Sequence, residues 1–84
     1  MNDIELLLKN LNQIHTTKLG VERIKNNLNI KTNDVVDWCI NKINDNNCLI
    51  VKKGKNFYAS IDDYIITINS SSYTIITAHK INIY

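Results

Sequence analysis

The chain of 84 residues has no proline, two glycines and two histidines. With so little glycine there is no glycine-rich phosphate loop, and no linker or internal repeat interrupts the sequence. Abundant Asn, Ile and Lys alongside missing proline reads as the imprint of an AT-rich genome, not of mechanism. The apolar runs are short, "CLIV" and "YII" being typical, and none reaches the length needed to span a bilayer. The start, "MNDIELLLKN", carries acids where a signal peptide needs positive charge. A soluble, cytoplasmic protein without membrane contact is the expectation. The two cysteines, Cys39 and Cys48, have neither CxxC nor Cys/His metal spacing. They are expected to be small buried residues, with no metal site and no cofactor. No serine–histidine–acid triad or paired carboxylate can be picked out from the order of residues.

What the chain does have is 44% apolar residues and a formal charge of +2, enough for one small α+β domain over residues 1–84. Residues 1–47 hold six bases and six acids, whereas residues 48–84 hold four bases and two acids. The whole excess therefore lies in the second half, and Lys52, Lys53 and Lys55 supply most of it. A local basic tip of this kind is gentle evidence for a nucleic-acid partner.

Hydrophobic spacing gives the architecture. Ile4, Leu7, Leu8, Leu11 and Ile14 form a helical stripe, predicting a helix over about 3–14. Thr16 or Thr17 can cap a second helix over about 18–29, burying Val21, Ile24 and Leu28, with Gly20 marking close packing or a bent entry. Thr32 to Asp34 form a further cap cluster before a helix over about 33–44, which buries Val36, Cys39, Ile40 and Ile43, with Val35 and Trp38 on its flank and Trp38 as an anchor against the sheet. From Cys48 the period becomes two. Strands are predicted over about 48–53, 56–61, 64–69 and 72–81, the first pair turning at Lys53-Gly54-Lys55 and the second at Asp62-Asp63. The fold class is α+β, three N-terminal helices on one face of a four-stranded antiparallel meander.

The register of the last hairpin decides where the polar residues go. A two-residue turn at Ser70-Ser71 sets Asn69 against Ser72, Thr67 against Thr74 and Ile65 against Ile76. Thr67, Asn69, Ser72 and Thr74 would then line the uncovered face, and Thr77 and His79 the helix side. A three-residue turn reverses that parity.

Four stretches carry a family resemblance: "HTTKLGVERIKNNL", "VVDWCINKI", "KKGKNFY" and "IITINSSSYTIITAHK". Between His15 and Lys80 the chain resembles a family of small bacterial proteins known only as a domain of unknown function. The resemblance rests on His15-Thr16-Thr17, Leu19-Gly20 with Arg23-Ile24, Trp38-Cys39, Gly54-Lys55-Asn56, and Ser72 through Lys80. Phe57 stands where tryptophan is usual, and Ser70-Ser71 where Asn-Ala is commoner. A looser likeness of layout, helices followed by a meander ending in Thr-Ala-His, is to the barnase, colicin and RelE-like ribonucleases. That likeness is one of fold only.

The expected function is contact with RNA or with a nucleic-acid-processing protein, through the sheet and the Lys52–Lys55 hairpin. Its enzymatic version is a metal-independent ribonuclease, with His79 and His15 as proton carriers and Arg23 and Lys55 as phosphate stabilisers. Binding would draw on Lys52, Lys53, Lys55, Asn69, Ser72, Thr74 and Lys80. The rival is a non-enzymatic interaction protein, such as a phage-type inhibitor of a host nuclease or an antitoxin. Each residue also has a structural role to weigh against these: a hydrogen-bonded strand-end histidine at His79, a cap neighbour at His15, an ion pair at Arg23, a solvated tip at the lysines, and a hydroxyl ladder at Thr67, Ser72 and Thr74.

Overall fold

A computed structural model describes residues 2–81, so residues 1 and 82–84 of the single expected domain lie outside the description. The helices are α1 (Asp3–Lys9), α2 (Lys18–Leu28) and α3 (Val35–Ile43), and the strands are β1 (Leu49–Lys53), β2 (Asn56–Ile61), β3 (Tyr64–Asn69) and β4 (Ile75–Lys80). The strands form one antiparallel sheet in the order β1-β2-β3-β4. The three-helix, four-strand α+β plan is the one the periodicities predict.

One face of the sheet takes the helices. Phe57 and Ala59 of β2, Ile66 and Ile68 of β3, and Ile75 and Ala78 of β4 are buried there. They join Leu7, Ile14, Ile24, Leu28, Val35, Cys39 and Ile43 in one core. In a chain of this size the helices are held by that shared burial more than by helix propensity. Trp38 anchors α3 as expected. Its ring meets Tyr64 edge-on with centroids 5.1 Å apart, and the Lys42 ammonium lies 5.5 Å from the Trp38 centroid while pairing with Asp62 at 3.1 Å. That aromatic surface is committed to packing.

In α3 the buried stripe is Val35, Cys39 and Ile43, not the expected Val36, Cys39, Ile40 and Ile43, because the helix turns Val35 inward and leaves Val36 and Ile40 half-buried at the edge of the core. Two further expectations need correction. The first helix stops at Lys9, not near residue 14, because the Asn10 side-chain amide donates to the Leu6 carbonyl (2.8 Å). Such local bonding competes with the helix, and a single 3-10 turn, Leu11–Gln13, follows. The second concerns the last hairpin. Residues 70–73 form the turn, Tyr73 lies at φ 59°, and Ile76 is an unpaired bulge residue in β4. The observed pairs are Thr67 with Thr77 and Ile65 with His79. Thr77 and His79 therefore lie on the uncovered face, while Ser72 sits in the turn and Thr74, whose carbonyl still accepts from the Asn69 N–H (2.9 Å), precedes β4 and bridges to His15. Thr67 does occupy the uncovered face, but between its neighbours Tyr58 and Thr77 it is only 6% exposed. The continuous wettable strip expected there is absent.

Gly20 explains how α2 enters. Thr17 caps the helix by accepting from the Gly20 N–H (3.0 Å), and the Thr16 hydroxyl donates to the Ile75 carbonyl at the start of β4 (3.1 Å). A Cβ at Gly20 would collide with the Thr16 Oγ1. In an open helix Gly→Ala stabilises by up to about 1 kcal/mol. Here Gly20→Ala is expected to destabilise by about 1–2 kcal/mol, because the Thr16 bond is lost and its acceptor stranded. Urea denaturation measures the sign directly.

Candidate functional site at the hairpin end of the sheet

The segment after α1 joins β4 as a short parallel bridge, His15 with Thr74. The His15 N–H donates to the Tyr73 carbonyl (3.1 Å), and the Ile75 N–H donates to the His15 carbonyl (2.8 Å). The left-handed backbone at Tyr73, costly for a residue with a side chain, lets the chain turn there. Its own N–H donates to the Asn69 carbonyl (2.9 Å). Two local features and one long-range bridge thus place an imidazole beside the serine-rich turn.

The side chains then form a continuous chain. His15 Nδ1 lies 2.9 Å from the Gln13 carbonyl, which only accepts, so Nδ1 carries a proton. In neutral His15, Nε2 is the acceptor, and the Thr74 hydroxyl donates to it at 3.1 Å. Ser72 Oγ lies 2.8 Å from Thr74 Oγ1 and 3.2 Å from Asn69 Oδ1. Asn69 Oδ1 also accepts from the Ser71 and Ser72 N–H groups, both at 3.0 Å. If His15 gains a proton, Nε2–H donates to Thr74, Thr74 to Ser72, and Ser72 to Asn69. With Nε2 as acceptor one link is lost, because the single Ser72 proton serves either Thr74 or Asn69 and the Asn69 Oδ1 cannot donate. The chain is a polar surface in which exposed His15 and Ser72 flank half-buried Asn69 and Thr74, with one imidazole.

The basic hairpin adjoins it. Gly54, at φ 63°, closes the β1–β2 turn, and the Lys55 carbonyl accepts from the Ser70 N–H (2.9 Å), tying the two turns together. Lys53 and Lys55 are exposed at this end. Of the residues singled out in the sequence, His15, Asn69, Ser72, Thr74 and Lys55 therefore converge, with Lys53 adjoining. Lys52 projects toward the helices and pairs with Asp3 (2.9 Å). His79 lies five residues beyond Thr74 on β4, roughly 16 Å along the strand, where it pairs with Ile65 near the Asp62-Asp63 turn. Lys80 is also at that far end, its ammonium 5.8 Å from the Tyr64 ring centroid. Arg23 is exposed on α2 and takes no part in the hydrogen-bonded chain. The two histidines are not brought together.

Sequence reasoning missed Gln13 and Tyr73. Gln13 acts through its backbone carbonyl, and a left-handed tyrosine has no signature in composition or spacing. Among the described residues, the surface holds no pocket and no group of three His, Cys, Asp or Glu side chains suited to a metal ion. No described helix is long and apolar enough to cross a membrane.

Both cysteines are free thiols. Burial pushes the Cys39 thiol up from 9.0 to about 12, and burial, then the nearby Asp45 charge, raises Cys48. Neither is poised as a thiolate nucleophile. Between pH 9.0 and about 12 the unfolded chain loses the Cys39 proton that the folded chain retains. The unfolded state then binds fewer protons, and stability falls as pH rises, by up to about 1.4 kcal/mol per unit. The difference in unfolding free energy between wild type and Cys39→Ala, measured across this range, should show that slope.

The fold and site define a small α+β protein whose polar chemistry lies on an open sheet end instead of in a cleft. A family model described as "Protein of unknown function (DUF3781)" matches residues 8–79, and the chain belongs to that family. No curated protein and no solved structure matches the chain.

Proposed function

We propose that the protein binds RNA at the hairpin end of its sheet, as a binder and not as a two-histidine nuclease. The observation that carries this reading is that the lysine turn and the serine turn share one end of the sheet, tied by the Ser70 N–H to Lys55 carbonyl bond and by the Lys53–Asn56–Asn69 register, beside the Asn69–Ser72–Thr74–His15 chain. Seven of the eight acids lie on α1, α2 or α3, at the start of α3, or at the Asp62-Asp63 turn, and the eighth, Asp45, follows α3. Asp3, which reaches the hairpin, is neutralised by Lys52. Lysine ammoniums attract phosphate without geometric demand, and the hydroxyls and amide can hydrogen-bond phosphate or a ribose 2′-hydroxyl. Separation of His15 from His79 leaves one proton carrier where strand cleavage by acid and base requires two.

The test is fluorescence anisotropy with a labelled single-stranded RNA over a series of salt concentrations. Two to three phosphate contacts give a slope of log K against log salt of about −1.4 to −2 for a single strand. Binding that ignores salt, or none at low salt, would refute the reading. The same RNA should emerge uncut.

A further inference from the structure

We infer that the uncovered face of the sheet is a self-association surface, on which a second copy of this chain packs face to face with its strands running in the opposite direction. The face is built from alternate residues. Leu49, Ser60, Ile65 and His79 form one cross-strand row, Val51, Tyr58, Thr67 and Thr77 the next, and Lys53, Asn56 and Asn69 the last. The helices pack on the other side, leaving Leu49 67% and Val51 49% exposed, with the bulge residue Ile76 at 43% beside Thr77. Three exposed aliphatics lie around Tyr58 and the nearly buried Thr67, with polar residues at both ends of the face, the apolar centre and polar rim of an association surface. No carboxylate belongs to these rows.

Charge selects the second copy and its direction. The Lys53-Gly54-Lys55 tip and the Asp62-Asp63 turn stand at opposite ends of the same sheet. Stacking two copies with strands parallel would set lysine over lysine and aspartate over aspartate. Asp62 is held by Lys42 on the helix side, so the carboxylate left to meet a partner is Asp63. Turning one copy end for end sets each basic tip over the other's Asp63, twice, about a two-fold axis. The edges are less suited to pairing. Lys52 and Lys53 guard β1, and the His15–Thr74 bridge covers the start of β4. Stacked sheets sit about 10 Å apart, and four short strands offer an interface at the small end of the specific range, so association should be weak and visible only at high protein concentration. Lys53 serves both this surface and the proposed RNA end, so self-association is measured without RNA.

Sedimentation equilibrium up to about 500 µM should show the 9.7 kDa monomer giving way to a dimer of twice that mass, and Val51→Glu should remain monomeric with an unchanged circular dichroism spectrum. Lys53→Glu and Asp63→Lys should each lose association at least tenfold, whereas their equimolar mixture should recover it as a heterodimer. A wild-type monomer at every concentration overturns the proposal. So does failure of the mixture to recover, which removes the end-for-end arrangement. Titration of the monomer with RNA or with a foreign protein that shifts Tyr58 and Val51 amide signals, while no dimer forms, would assign the face to that occupant instead.

Discussion

The Lys53→Ala/Lys55→Ala protein is expected to bind single-stranded RNA about ten- to a hundredfold more weakly than wild type at low salt, with the log–log salt slope flattened by about 1.4. Each phosphate neutralised on a single strand releases about 0.7 of a condensed cation, so two lost contacts remove that much salt dependence. Lys53 and Lys55 are exposed, and their ammoniums hold no core packing together, so the variant should unfold at the wild-type denaturant midpoint. The assay is run well below the concentrations at which sheet faces would associate. A uniform loss across RNA sequences marks phosphate contacts; loss confined to one sequence would mark base reading. Unchanged affinity and slope would move the binding site away from the hairpin.

The second large effect is on stability. Phe57→Ala is expected to cost about 3–5 kcal/mol. Phe57 is among the largest fully buried side chains, on a β2 position paired with Lys52 on one side and Ile68 on the other. Ile68 in turn pairs with Ile75, the residue whose N–H and carbonyl hold His15 and Thr16. A domain of this length has only about 4–13 kcal/mol to lose, so the variant should be marginal at room temperature. Phe57→Leu, which keeps most of the volume, should cost under about 2 kcal/mol. Chemical denaturation of the three proteins ranks them. An alanine variant as stable as wild type would mean that this aromatic is not the keystone between sheet and helices.

These two predictions divide along the line where the sequence was readable and where it was not. Phe57, Ile66 and Ile68 announce their face by simple alternation, and Ile24, Leu28 and Cys39 by helical spacing, because burial imposes those periods wherever a face is covered. Thr17 and Asp34 were legible as caps because an N-cap is a local bond between near neighbours. Asn10 shows the limit of that logic: the helical stripe continues through Leu11 and Ile14, yet one side-chain bond to Leu6 ends the helix first. At the site, the residue types were legible but their meeting was not. His15 and Thr74 are 59 positions apart, and their bridge depends on Tyr73 adopting a left-handed backbone. The bulge at Ile76 then moved Thr77 and His79 to the other face, separating two histidines that the ribonuclease likeness would have used together. Leu49 and Val51 were hidden for another reason. In "CLIV" every residue is apolar, so alternation cannot say which of them the fold leaves in water.

The central claim is that one end of this sheet, and not its far end, receives phosphate. Its most direct measurement is a titration of isotope-labelled protein with short single-stranded RNA, followed by backbone and imidazole signals at a protein concentration below self-association. The expected result is that Lys53, Gly54, Lys55, Asn69, Ser72, Thr74 and the His15 ring shift together along one binding curve, while His79 and Lys80 stay in place. Shifts centred on His79 and Lys80, with the hairpin end unmoved, would contradict it.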